Sequence, residues 1–226
     1  GRPHRVRLTQ AVHTFLDDFR RLATGLGDRP TRIAELFPRQ PTVVGATDAS
    51  GKGMGGVAFV HHTSGIVLPL LWRQPFDSTT QQALVSWDNP TGNVTNSDLE
   101  LAATIVHHDV LAHHLDLREH TIHTLHDNTP GVAWQTKGST TTAGPAAFLL
   151  RLQSHHQRRY RYVARHDYIP GPDNAMADDA SRLWNLDDSH LVAYFNSTYP
   201  QDEPWQLLHP RHATVSSVTS ALARKP

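Results

Sequence analysis

The chain has 226 residues, with 21 Lys+Arg against 21 Asp+Glu and a formal charge of zero. This length can bury one sizeable core with chain left over for extensions, and the zero balance removes any global electrostatic case for nucleic acid, so such a partner must be met by a local patch. The absence of cysteine excludes disulfides and thiolate zinc sites and fits a reducing compartment, so an intracellular location, cytoplasmic or nuclear, is expected.

No apolar stretch approaches the length of a membrane span, and no signal peptide opens the chain; no membrane partner is expected. Starting on Gly1 rather than Met implies a piece of something longer. Eight of the 17 histidines fall in doublets, among them His107-His108, His113-His114 and His155-His156, whose members point to different helix faces, which argues against a structural metal cluster.

In chain order, Leu8, Val12, Phe15, Leu16, Phe19, Leu22 and Leu26 form a helical stripe that needs a partner to cover it. Gly25, Gly27 and Pro30 end that helix, and residues 31–37 suggest a short second one. Val43, Val44, Gly45 and Ala46 then read as a short buried strand, with Asp48 where the strand gives out. Gly51, Gly53, Gly55 and Gly56 follow and residues 57–60 return, so this is a hairpin that presents an acid. A third strand is expected over residues 66–72, at an edge or bulge because of Pro69. Pro75, Asp77, Ser78, Asn89, Pro90 and Gly92 mark a long irregular connection before the next element.

A helix begins near Asn96 and continues through Leu101, Ile105, Val106, Val110, Leu111 and Leu115, and Ser97 with Glu100 has the spacing of a capping box. Thr121 to Leu125 alternates like a strand and runs into Asp127, a second acid at a strand end that would also suit a helix N-cap. A helix from Pro145 leads to the most basic stretch, where Arg158, Arg159 and Arg161 interleave with Tyr160 and Tyr162. A Pro/Gly loop at Pro170-Gly171-Pro172 then opens a helix that carries Asp178 and Asp179. Beyond Asn185 an aromatic and proline-rich tail is expected to lie over the domain or fray.

Each acid has a local explanation, but four of them at element ends in this order do not. With TDAS at residues 47–50, SDLELAA at 97–103, HDNT at 126–129 and PGPDNAMADDASR at 170–182, the chain resembles ribonuclease H. The resemblance is to the ribonuclease H domain of gypsy-like and DIRS-like retroelement reverse transcriptases. It implies an α/β ribonuclease H-like fold with a five-stranded mixed sheet flanked by helices. By resemblance, residues 1–40 would be the end of a reverse transcriptase thumb or connection, 41–186 the ribonuclease H domain, and 187–226 a C-terminal tail.

The resemblance further implies hydrolysis of the RNA strand of RNA·DNA hybrids, in partnership with the polymerase domain of the same polyprotein. Asp48, Glu100, Asp127 and Asp178 would be both the catalytic residues and the ligands of two Mg2+ ions about 4 Å apart, with Mn2+ as a substitute. Gly51, Gly53, Asn128, Thr129 and Asn174, with Arg158, Arg159 and Arg161 on the phosphates, would bind substrate, 2′-OH groups included. Many such domains carry a His on the loop before the last acid; this chain has Tyr168 there, with His166 as the residue that could replace it. The alternative is a non-catalytic ribonuclease H-like connection or tether that binds hybrid or a partner subunit. An integrase is disfavoured, because that family lacks an acid in the first core helix.

Overall fold

The computed structural model describes residues 8–24, 33–37, 39–141 and 144–224. The expected end of the first helix, at Gly25 to Pro30, and the start of the second at Thr31 lie outside them. In chain order the elements are α1 (Gln10–Thr24), α2 (Ile33–Leu36), β1 (Val43–Ala49), β2 (Gly53–His61), β3 (Val67–Pro75), α3 (Ser78–Ala83), α4 (Asn96–His114), β4 (Thr121–His126) and α5 (Thr129–Lys137). There follow α6 (Pro145–Tyr160), β5 (Val163–Tyr168), a 3-10 turn (Gly171–Asn174), α7 (Ala175–Arg182), α8 (Asp188–Thr198), β6 (Gln206–Leu208) and α9 (His212–Leu222).

The strands form one mixed sheet in the order β5-β4-β1-β2-β3-β6. The first three are antiparallel, as short hairpin connections require, and β4, β5 and β6 join in parallel after helical crossovers. This is the expected ribonuclease H-like α/β architecture, with six strands rather than five. The sixth comes from the tail, where Leu70 to Trp72 of β3 pair with residues 206–208 and Phe195 and Trp205 are buried. An edge strand exposes unpaired backbone groups, and β6 covers that of β3.

Helices cover both faces. α4 is enclosed on every side, buried without a break from Asp98 to Leu111, with Glu100, His107, His108 and Asp109 buried among its apolar residues. It packs on one face with α6 and α9, where its Ala102 and Val106 share a core cluster with Met54, Leu149 and Val218. On the other face Val57, Leu71, Ala180, Leu191 and Phe195 join β2, β3, α7 and α8. Alternate residues of β2 serve the two layers, as a strand covered on both faces demands.

Two expectations change. α4 is capped by Thr95, whose hydroxyl accepts from Asp98 N while Asp98 Oδ2 accepts from Thr95 N at 2.8 Å, so the capping box lies two residues earlier than expected and leaves Glu100 free. The stripe of α1 is turned outward, with Phe15 64% and Phe19 70% exposed. Asp18 on its polar side accepts instead from Arg151 of α6 at 2.5 Å.

Candidate active site

The parallel ladder between β1 and β4 ends at the pair Ala46 and Leu125. Continuing that register puts Asp48 beside Asp127, each two residues beyond the last pair. The side chains of Thr47 and His126 extend the pairing where the backbone ladder stops, with Thr47 Oγ1 3.0 Å from His126 Nδ1. Strand register therefore sets the separation of these two acids. Glu100 reaches in from the second turn of α4, and its Oε1 accepts from Ala49 N at 3.2 Å.

Ligand oxygens of Asp48, Glu100 and Asp127 all lie within 4.8 Å of one another. Asp48 and Glu100 are buried and Asp127 is half-buried. Burial first, and then neighbouring carboxylates, raise all three acids, Glu100 well above its ordinary range; a Ser181 hydrogen bond partly offsets this at Asp48. Glu100 Oε2 is buried with no hydrogen-bond partner. A buried, unpartnered carboxylate oxygen facing two more carboxylates is a poor arrangement for a stable core but a suitable one for a hard divalent cation, which takes oxygen ligands. The residues therefore fit magnesium.

Asp178 stands beside this group rather than in it. Its Oδ1 accepts from Arg182 Nε at 2.5 Å, and Arg182 Nη2 lies 3.9 Å from Asp48 Oδ2. Asp178 is close enough for its charge to help raise both Asp48 and Asp127. Asp179 turns the other way and accepts from Tyr194 and Tyr199 hydroxyls at 2.8 and 2.7 Å, which ties α7 to α8. α7 can lie this close to β2 because Gly55 has no side chain: a Cβ there would sit 2.6 Å from the Ala180 carbonyl carbon.

The other expected site residues separate into two groups. Gly51 is exposed in the turn after β1, whereas Gly53 is buried against Trp184. Asn128 caps α5 by accepting from Gly131 N at 2.8 Å, and Thr129 beside it is exposed. Asn174 is 2% exposed and donates to Thr47 O at 3.1 Å, so its side chain clamps the 3-10 turn onto β1, while its Oδ1 is buried without a hydrogen-bond partner. Tyr168 ends β5, more than half exposed and paired in register with His126. His166 belongs to β5 rather than to a loop. It is buried against His126 and Gln153, at 3.1 and 3.3 Å, and burial lowers it to about 4.

The basic stretch lies at the other end of the sheet. In the β4–β5 ladder Thr121 pairs with Val163 and His126 with Tyr168, so Arg158 to Arg161 precede the end of β5 remote from Asp127. At about 3.3 Å per residue that is roughly 20 Å away. Arg161 is paired with Glu119 at 2.5 Å, Arg158 donates to Leu22 O at 3.1 Å, and Arg159 lies over the Tyr160 ring. The expectation of a phosphate track here overlooked these local partners. What the sequence reading passed over was Ser181, which donates to Asp48, and Arg182. The i,i+4 spacing of Asp178 and Arg182 on one helix face is the signal that could have found the second.

Glu100→Gln is expected to stabilise the chelated protein at pH 8, because burial and the neighbouring carboxylates disfavour the charged form of Glu100. With the native pKa raised, the folded state binds more protons than the unfolded one, so stability falls as pH rises from about 4.5 through the native value. Thermal melting against pH in chelator checks this: the variant should show a shallower fall on the alkaline side.

No protein-family model and no curated protein matches the chain. Among solved structures it is similar to LC11-RNase H1, isolated from compost by a metagenomic approach, at 17% identity and TM-score 0.44, covering 62% of this chain and 93% of that one. It is also similar to RNase H1 from the halophilic archaeon Halobacterium salinarum NRC-1, at 17% identity and TM-score 0.41, covering 61% and 92%. LC11-RNase H1 in complex with an RNA/DNA hybrid matches at 19% identity and TM-score 0.42, covering 61% and 92%. The likeness is one of fold, and the site stands on its own geometry.

Proposed function

We propose that the chain hydrolyses the RNA strand of RNA·DNA hybrids at the Asp48, Glu100, Asp127 and Asp178 site. The observation that carries this reading is three carboxylates from β1, α4 and the end of β4 within 4.8 Å, with Glu100 Oε2 buried and unpartnered. Two magnesium ions bound there would supply a hydroxide-like nucleophile at neutral pH and neutralise phosphate charge. Asp48, Glu100 and Asp127 would hold the first, and Asp48 with Asp178 the second.

The chain's own groups prepare that site. Ser181 orients the Asp48 carboxylate, the Ala49 amide fixes one Glu100 oxygen, and the other stays open. Arg182 is a cation beside the acids and offsets their repulsion, a role that a bound divalent ion would take over. Exposed Gly51 and Thr129 border the acids on two sides, where backbone and hydroxyl groups suit 2′-OH contacts.

The motifs TDAS, SDLELAA, HDNT and PGPDNAMADDASR support placing this activity in a retroelement reverse transcriptase, with a polymerase domain of the same polyprotein as partner. In that reading residues 1–40 are the end of the polymerase portion, 41–186 the nuclease and 187–226 an added edge. The test is a panel of labelled hybrid, double-stranded RNA and double-stranded DNA with Mg2+. RNA cut only in the hybrid supports the reading, and hybrid bound but uncut supports the tether instead.

A further inference from the structure

Residues 76–93 form a closely tied loop. Asp77 caps α3, Val85 N donates to Val94 O at 2.8 Å, and Asn93 N and Val94 N share Ala83 O at 3.0 and 3.1 Å. Asn89 Nδ2 donates to Gln82 O and Leu84 O at 2.9 and 3.1 Å, while the Ser86 and Asn89 backbones exchange bonds at 3.1 and 3.2 Å. At the apex of this scaffold Trp87 is 97% exposed. Tryptophan is on average highly buried, so an indole held in water by a hydrogen-bonded loop is a contact surface without its partner.

The loop is fastened to the turn that follows Asp48. Phe76 N donates to Lys52 O at 3.0 Å, and the Leu84 side chain lies 3.3 Å from where a Cβ on Gly51 would sit. Ser50, Gly51, Lys52, Arg182 and Trp184 line one cleft at that turn. Arg182, Lys52 and Trp184 thus share that cleft, and Trp87 lies three residues along the chain from Leu84, whose side chain packs at its Gly51 edge. Cationic groups interleaved with aromatic rings suit a nucleic-acid strand, whose phosphates and base faces alternate in the same way. Trp87 and the 42%-exposed Val85, set among Ser86, Asp88 and Asn89, make a small apolar spot rather than the contiguous apolar patch of a protein interface. Asp88 repels phosphate next to the ring and leaves the ring to a base.

We propose that Trp87 stacks on a nucleobase of the strand that leaves the acidic site past Lys52, and that the 76–93 loop is a substrate-holding arm. This rests on the hybrid reading above and names the surface through which hybrid is held. The test is binding of a fluorescent hybrid to the full chain in chelator, where nothing is cut, across a salt series, for wild type, Trp87→Ala, Trp87→Phe and Lys52→Gln. Trp87→Ala should weaken Kd about tenfold with its salt slope unchanged, and Trp87→Phe should recover most of that affinity because stacking needs only a π-face. Lys52→Gln should make the log-log salt slope shallower by about one. Unchanged melting temperatures would confirm that the exposed ring is not needed for the fold. Wild-type affinity in Trp87→Ala overturns the arm alone, whereas failure of the wild type to bind hybrid overturns the hybrid reading with it.

Discussion

Asp48→Asn is expected to lower hybrid cleavage by about 10³-fold or more while leaving the protein folded. Asp48 is the acid within reach of every other part of the site: it groups with Glu100 and Asp127, accepts from Ser181 and lies 3.9 Å from Arg182. In the proposed mechanism losing its charge would remove the ligand shared by both cations, and metal catalysis contributes several kcal/mol to such barriers. The same substitution removes like-charge repulsion from a buried cluster, and the Asn Oδ1 still accepts from Ser181. Melting of the chelated variant should therefore equal or exceed that of wild type. Single-turnover cleavage beside a melting curve checks both halves. Loss of activity together with loss of fold would make Asp48 a structural residue.

The second large effect is in acid. His107, His108 and His166 are buried, and burial holds each below its ordinary range: His107 at about 3, His166 at about 4, and His108 well below. Their neutral rings are built into the core. His107 accepts from Trp72 Nε1 at 2.9 Å and His108 Nε2 lies 3.0 Å from Thr124 Oγ1. Between those native values and 6.5 the unfolded chain binds more protons than the folded one, so stability rises with pH over that window and is complete above it. Each pKa unit is worth about 1.4 kcal/mol, and a domain's total stability is about 5–15 kcal/mol. Unfolding by acid is therefore expected between about pH 4 and 6, well above the range in which carboxylates alone would drive it. Far-UV circular dichroism against pH measures it, and a chain still folded at pH 3.5 would contradict the account. His107→Phe at neutral pH would not isolate the effect, because it leaves Trp72 Nε1 without an acceptor.

These two effects come from parts of the chain that differed in how readable they were. The acids were legible because each sits where hydrophobic patterning changes: Asp48 and Asp127 at strand ends, Glu100 near a helix start, and Asp178 behind a Pro/Gly loop. The antiparallel pairing of the first three strands was legible from the short hairpin connections. The sixth strand was not, because residues 206–208 have no alternation of their own and become a strand only by pairing with β3. The capping box was misplaced because Ser97 and Glu100 share the Thr95 and Asp98 spacing, and only the backbone decides where the helix starts. The partners of the basic stretch were not legible, because sequence shows where charges are while Glu119 and the Leu22 carbonyl, which engage Arg161 and Arg158, lie 42 and 136 residues away. The histidine doublets read correctly as facing different ways, but nothing local showed that both His107 and His108 would be buried, since α4 is enclosed all round.

The central claim is that Asp48, Glu100 and Asp127 form a cation site, and direct titration of Mn2+ into the chelator-stripped full chain tests it without a substrate. Followed by calorimetry or by the spin signal of free Mn2+, wild type should bind saturably, and Asp48→Asn and Glu100→Gln should each weaken the strongest site at least tenfold. Proton release should accompany binding, because acids held above their ordinary range must ionise to become ligands. Binding that is absent at millimolar Mn2+, or equally strong in wild type and Asp48→Asn, would contradict the account.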